Sequence, residues 1–116
     1  MTAPRWVIQH YPTLTSTMDR AAAFARGGGP EGVVVVSDEQ TAGRGRASRA
    51  WYSPSGAALY ATLLLRPPVP PPALATLPLL AGVAVAEVLE SLTGAPAQLK
   101  WPNDVWLGGD PAHQKV

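Results

Sequence analysis

Cysteine is absent from all 116 residues, so neither a disulfide framework nor a thiolate metal site is possible. Histidine is nearly absent: His10 and His113 stand near opposite ends of the chain, too few and too isolated for a zinc centre built from histidines. Charge is scarce, 15% of residues, and balances to +1, so no global field draws the chain to nucleic acid or an anionic membrane. The most apolar window, Leu74 to Leu89, is broken by Pro78 and carries Glu87, and is too short for a confident membrane span. The opening Met-Thr-Ala-Pro-Arg-Trp lacks the basic start and apolar core of a signal peptide, so a soluble cytoplasmic location is expected. What is plentiful is apolar residues, 47% of the chain, enough for one globular domain or a piece of one.

Along the chain, Trp6 to Tyr11 reads as a first strand ended by Pro12. Thr15 to Thr17 offer hydroxyls to cap a helix that runs through Ala21, Ala22, Phe24 and Ala25 until Gly27, Gly28 and Gly29 stop it. Val33 to Val36 is a continuous β-branched run of the kind found in strands buried on both faces. Leu59 to Arg66 is the next strand candidate, and Pro67, Pro68, Pro70, Pro71 and Pro72 form a stiff extended connector. The longest helix then places Leu74, Leu77, Ala81, Val85, Val88 and Leu92 on one face, keeps Glu87 and Glu90 off it, and has Gly94 just past its end. Pro78 lies in its first turns or kinks it. Leu99 to Asp104 is extended, Val105 to Leu107 a strand, Gly108 to Pro111 a turn, and Gln114 to Val116 the start of a further strand, a pattern expected of a piece of a longer protein.

Chemistry concentrates in two runs. The first, Gln40 to Trp51, reads Gln-Thr-Ala-Gly-Arg-Gly-Arg-Ala-Ser-Arg-Ala-Trp. Glycine lets the backbone approach a ligand, arginine offers a rigid donor fork for phosphate or carboxylate, and tryptophan supplies a flat face for a ring. A Gly/Arg-rich nucleic-acid tether or a solvated turn would use the same letters. This segment is short, non-repetitive and held between strand candidates, which fits a loop that wraps an anionic, ring-bearing small molecule.

The second run is Lys100-Trp101-Pro102-Asn103-Asp104, which by itself also describes an edge strand with a proline stop and an Asn-Asp turn. Both runs occur together with Trp51-Tyr-Ser-Pro-Ser-Gly, Leu59-Tyr-Ala-Thr, and Ser16-Thr17 at a helix start. In that combination the chain, from about Thr15 to Val116, resembles the catalytic domain of biotin protein ligases, also called biotin-[acetyl-CoA-carboxylase] ligases. The resemblance implies an α/β (α+β) fold, a mixed, largely antiparallel sheet packed by helices. It implies an enzyme that joins biotin to ATP as biotinyl-5'-AMP, then passes biotin to a lysine of the biotin acceptor domain of a biotin-dependent carboxylase. Mg2+ is inferred from the use of ATP.

The resemblance also assigns roles. Lys100 and Arg46 are the catalytic residues, because a carboxylate attacking the α-phosphate needs fixed positive charge against the repulsion of two anions. The biotin-binding set is Ser16, Thr17, Gln40, Gly43, Arg44, Gly45, Arg46 and Lys100; the ATP or adenylate set is Arg44, Arg46, Arg49, Trp51 and Asn103. Gly43 and Gly45 let backbone amides lie close to the ligand, Gln40 both donates and accepts, and Ser16 and Thr17 offer hydroxyls and helix-start amides to the ureido ring. The plainer roles are a solvated strand lysine for Lys100, capping for Ser16 and Thr17, and a loop anchor for Trp51. Three neighbouring arginines repel one another, so the loop is expected to be mobile when empty and to close on the ligand, excluding water from the reactive anhydride.

Met18 departs from the resemblance: it stands where these ligases most often have asparagine, leaving its backbone amide as the available donor. The resemblance further implies that residues 1–116 are part of a catalytic domain, lacking its carboxyl-terminal strands, the small β-barrel domain and an amino-terminal helix-turn-helix. DNA or membrane partners are therefore not expected, and a homodimer is allowed. Two other functions compete: a lipoate or octanoate ligase or transferase of the same superfamily, and a nucleic-acid-binding module built on the basic loop.

Overall fold

The computed structural model describes residues 5–101 and 104–108. The anticipated turn at Gly109 to Pro111, the strand start at Gln114 to Val116 and the candidate Asn103 lie outside the described residues. Two compact units divide the chain, Met1–Pro67 and Pro68–Val116.

In the first unit β1 (Val7–Leu14) leads through α1 (Thr17–Arg26) to β2 (Val33–Gln40), and β3 (Tyr60–Leu63) follows a long loop. The sheet order is β1-β2-β3, with β1 parallel and β2 antiparallel to its neighbour. A parallel pair needs a crossover, which α1 supplies. Ser16 caps α1, its hydroxyl accepting from the Met18 amide, and Gly27 ends it as the glycine run predicts. Ala21, Val33 and Val35 form the core of this unit, with Tyr11, Leu14 and Leu64 packed against them. Val35 is fully buried because β2 is the central strand.

Pro12 does not end β1. Val7 donates its amide to Gly32 across the pair, so alternate residues face β2 and Pro12 falls in the set facing away, where a missing N–H costs no ladder bond. β2 runs four residues beyond the valines, so Gln40 ends a strand instead of opening a loop. β3 is shorter than the apolar run from Leu59 to Arg66.

The second unit begins with a 3-10 turn, Pro71–Thr76, that passes into α2 (Leu77–Thr93). Pro71 and Pro72 thus start a helical turn, not the last part of an extended connector, because proline's fixed φ suits a first helical position. Pro78 lies in the first turn of α2, and Gly94 closes it in the left-handed conformation at φ 72°. β4 (Ala97–Lys100) and β5 (Asp104–Leu107) form an antiparallel hairpin, Lys100 opposite Asp104. The chain therefore reverses inside the Lys100 to Asp104 run, where an extended stretch was expected.

The face by which α2 meets this hairpin differs from the anticipated one. Ala86 is its buried residue, and a Cβ on Gly82 would lie 3.3 Å from Leu99 Cδ2, so small residues bring helix and hairpin together. Val85, Val88 and Leu92 are exposed within this unit. Apolar residues surround the helix, so periodicity alone could not choose a face. The helical run over 71–93 is also longer than the window Leu74 to Leu89, and by length and composition it is long and apolar enough to cross a membrane.

Candidate active site

Two biotin-side candidates of the first unit, Thr17 and Gln40, meet in one part-buried polar chain. Thr17, at the start of α1, donates both its amide, at 2.8 Å, and its hydroxyl, at 3.2 Å, to Gln40 Oε1 at the end of β2. A backbone N–H can only donate, so the oxygen of the Gln40 carboxamide faces Thr17 and the nitrogen faces away. Gln40 Nε2 donates to Ser53 Oγ at 3.2 Å, and Ser53 Oγ donates to the Trp51 carbonyl at 3.2 Å. Thr62 Oγ1 lies 2.8 Å from Thr17 Oγ1; Thr17 has one hydroxyl proton, directed at Gln40, so Thr62 is the donor of that pair. Ser16, Thr17 and Ser53 are buried and hydrogen-bonded, as buried polar groups must be.

This arrangement corrects two expectations. Gln40 cannot both donate and accept toward a ligand, because its oxygen holds two bonds from Thr17; one N–H is left for a ligand oxygen. The Met18 amide is likewise engaged, by Ser16 Oγ at 3.1 Å. Ser16 keeps its own hydroxyl proton to donate.

The arginine loop is folded. Arg44 pairs with Ala50 in an isolated antiparallel bridge, the Trp51 amide donates to Gly43 at 2.8 Å, and the Gly45 amide donates to Arg49 at 2.6 Å. A one-turn 3-10 segment, Arg46–Ser48, forms the tip. A Cβ on Gly43 would lie 2.7 Å from Ser53 Oγ and 2.8 Å from the Trp51 carbonyl oxygen, so glycine is required there by backbone crowding. Gly45 faces the indole of Trp51, its virtual Cβ 3.4 Å from the ring. Arg46, Arg49 and Trp51 are exposed on this loop.

Arg44 does not wait unpaired for an anion: its guanidinium donates to Asp19 Oδ1 at 2.6 Å, both side chains half-exposed. That hydrogen bond holds the Asp19 carboxyl below its ordinary pKa and the Arg44 guanidinium above its own. Asp19 was not anticipated, since nothing in sequence links the first turn of α1 to a loop 25 positions on. Ser53 and Thr62 were also missed as individuals, although the runs around them were singled out.

Lys100 ends β4 in the second unit. Its ammonium lies 5.2 Å from the centroid of the Trp106 ring, and it lines a hollow of about 140 Å3 with Pro78, Leu79, Gly82, Leu99, Trp101 and Asp104. Trp106 is reached from β5 because the hairpin sets Gln98 opposite it, two residues before Lys100 on β4. No group of three His, Asp or Glu side chains among the described residues could hold a metal.

The model of the biotin/lipoate A/B protein ligase family matches residues 11–116. The chain belongs to that family. Within it, the chain is 43% identical over 100 residues to the bifunctional ligase/repressor BirA of Bacillus subtilis, covering 86% of this chain and 31% of BirA. It is 38% identical over 101 residues to the biotin--[acetyl-CoA-carboxylase] ligase of Mycobacterium tuberculosis, covering 84% and 38%. Among solved structures, the biotin protein ligase of Aquifex aeolicus in complex with biotin and ATP superimposes with a TM-score of 0.70 at 38% identity, covering 84% of this chain and 40% of that one. The Leishmania major ligase with biotinyl-5-AMP gives 0.74 at 30% identity, covering 99% and 50%. This family member thus spans half or less of the proteins it matches. The mixed three-stranded sheet with α1, and the antiparallel hairpin with α2, are an α+β fold shared with those catalytic domains.

Proposed function

We propose that this biotin/lipoate ligase family chain forms part of a catalytic domain that activates biotin with ATP to biotinyl-5'-AMP and transfers it to a lysine of a carboxylase's biotin acceptor domain. The observation that carries the reading is the likeness, over 99% of the chain, to a ligase solved with biotinyl-5-AMP. That superposition takes in α2, which is then a helix of the catalytic fold, in keeping with a cytoplasmic enzyme that uses ATP.

In this reading the Ser16 hydroxyl and the remaining Gln40 N–H donate to the oxygen at the ureido end of biotin, while Thr17 holds the Gln40 carboxamide in place. Arg44, Arg46 and Arg49 meet the carboxylate and phosphate groups, and Trp51 and Asn103 serve the nucleotide. Lys100 stabilises the charge that develops as the carboxylate attacks the α-phosphate and pyrophosphate leaves. Magnesium bound to ATP would supply charge screening for the leaving phosphates.

The test is to incubate the complete gene product with biotin, ATP and magnesium and follow biotinyl-adenylate by mass. Its formation with biotin and not with lipoate is the expected result. Lipoyl-adenylate alone would move the assignment to the lipoate branch of the family, and tight nucleic-acid binding with neither product would replace it.

A further inference from the structure

We propose that Ser53 is a positioning residue for Gln40, holding in place the carboxamide whose polarity the Thr17 amide sets and tying it to the root of the arginine loop. The proposal rests on the biotin-ligase reading. Ser53 is 2% exposed, and its backbone and side chain both engage Gln40: the Gln40 amide donates to the Ser53 carbonyl at 3.1 Å, and Gln40 Nε2 donates to Ser53 Oγ at 3.2 Å.

The order of donors along this chain has one solution. Thr17 saturates Gln40 Oε1 from one side, and the Ser53 hydroxyl proton is directed to the Trp51 carbonyl, which cannot donate. Ser53 Oγ is therefore an acceptor toward Gln40, and a flip of the carboxamide would place its NH2 against the Thr17 N–H and draw the Ser53 proton away from the Trp51 carbonyl. The same hydroxyl holds the Trp51 carbonyl, whose amide side closes on Gly43 at the other root of the loop. One buried oxygen thus joins the end of β2 to both roots of the segment that carries Arg44, Arg46 and Arg49.

Removing that oxygen takes from Gln40 the bond that holds its Nε2 and from the Trp51 carbonyl the Ser53 proton. In the complete gene product, Ser53→Ala is expected to raise the KM for biotin about five- to tenfold, the scale of one hydrogen bond. The KM for ATP is expected to stay within about twofold. Ser53→Cys, similar in size and a weak acceptor, is expected to fall between, and it carries the test if the alanine variant does not fold. The deciding readout is a double-mutant cycle: in a Gln40→Ala background, Ser53→Ala adds no further rise in the KM for biotin. A folded Ser53→Ala with the wild-type KM for biotin, or an undiminished effect of Ser53→Ala in the Gln40→Ala background, would overturn the proposal while leaving the ligase reading intact. A wild-type protein that forms no biotinyl-adenylate would remove both.

Discussion

Gln40 enters the site with its oxygen already occupied, which turns a residue that could donate or accept into a donor. Its type was readable from sequence; its polarity was not, because that depends on Thr17 and Ser53, 23 and 13 positions away. In the proposed reading, Lys100 and Arg46 carry the charge stabilisation. Replacing either by alanine is expected to lower the rate of adenylate formation by about 10²- to 10³-fold, the loss seen when a preorganised charge stabiliser is removed. Trp106 holds the Lys100 ammonium against its ring face. Trp106→Leu is expected to lower that rate by about two- to fivefold, the scale of one exposed cation–π contact. The Arg44 and Asp19 pair gives a pH signature. Asp19 is held below its ordinary pKa by Arg44, so its contribution is complete above the unfolded value and is lost as pH falls through the lower folded value. Carboxyl NMR titration is expected to show Asp19 ionising below the ordinary carboxylate range and returning to that range in Arg44→Ala.

The arginine loop shows what an element demands beyond its letters. Its glycines were legible as places of close approach, and at Gly43 the crowding atoms are Ser53 Oγ and the Trp51 backbone oxygen. Gly43→Ala is expected to lower stability by about 1–3 kcal/mol in urea unfolding, because backbone cannot move aside as a side-chain tip can. At the tip, Ala47 and Ser48 hold φ of 58° and 60°, a left-handed pair that residue type would not have foretold. Three helix ends were legible: Ser16 and Gly27 bound α1, and Gly94 closes α2, whereas the start of the helical run at Pro71 was not. The packed face of α2 was not, since Gly82 and Ala86 meet the hairpin through close approach, whereas a periodicity argument favours larger side chains.

Across the whole molecule, positive charge is local in a chain of net charge +1, so the loop is where an anionic ligand makes its largest difference. Biotin and ATP together are expected to slow tryptic cleavage after Arg44, Arg46 and Arg49 by about tenfold or more, read by mass of the fragments. Arg66 serves as an internal reference: its guanidinium is bound to the carbonyls of Ala25 and Gly29, its amide to Glu31, and Pro67 follows it. Residue types and spacing by themselves determined the family, both ends of α1 and the end of α2, the identity of the cationic groups and the exclusion of cysteine chemistry, because those depend on local conformation and side-chain chemistry. Tertiary structure alone decided that Pro12 is carried within a strand, that Asp19 neutralises Arg44, and that Gln40 is held as a donor. Each of these turns on a hydrogen bond or ion pair between groups far apart in the chain, and only folding brings such partners within reach.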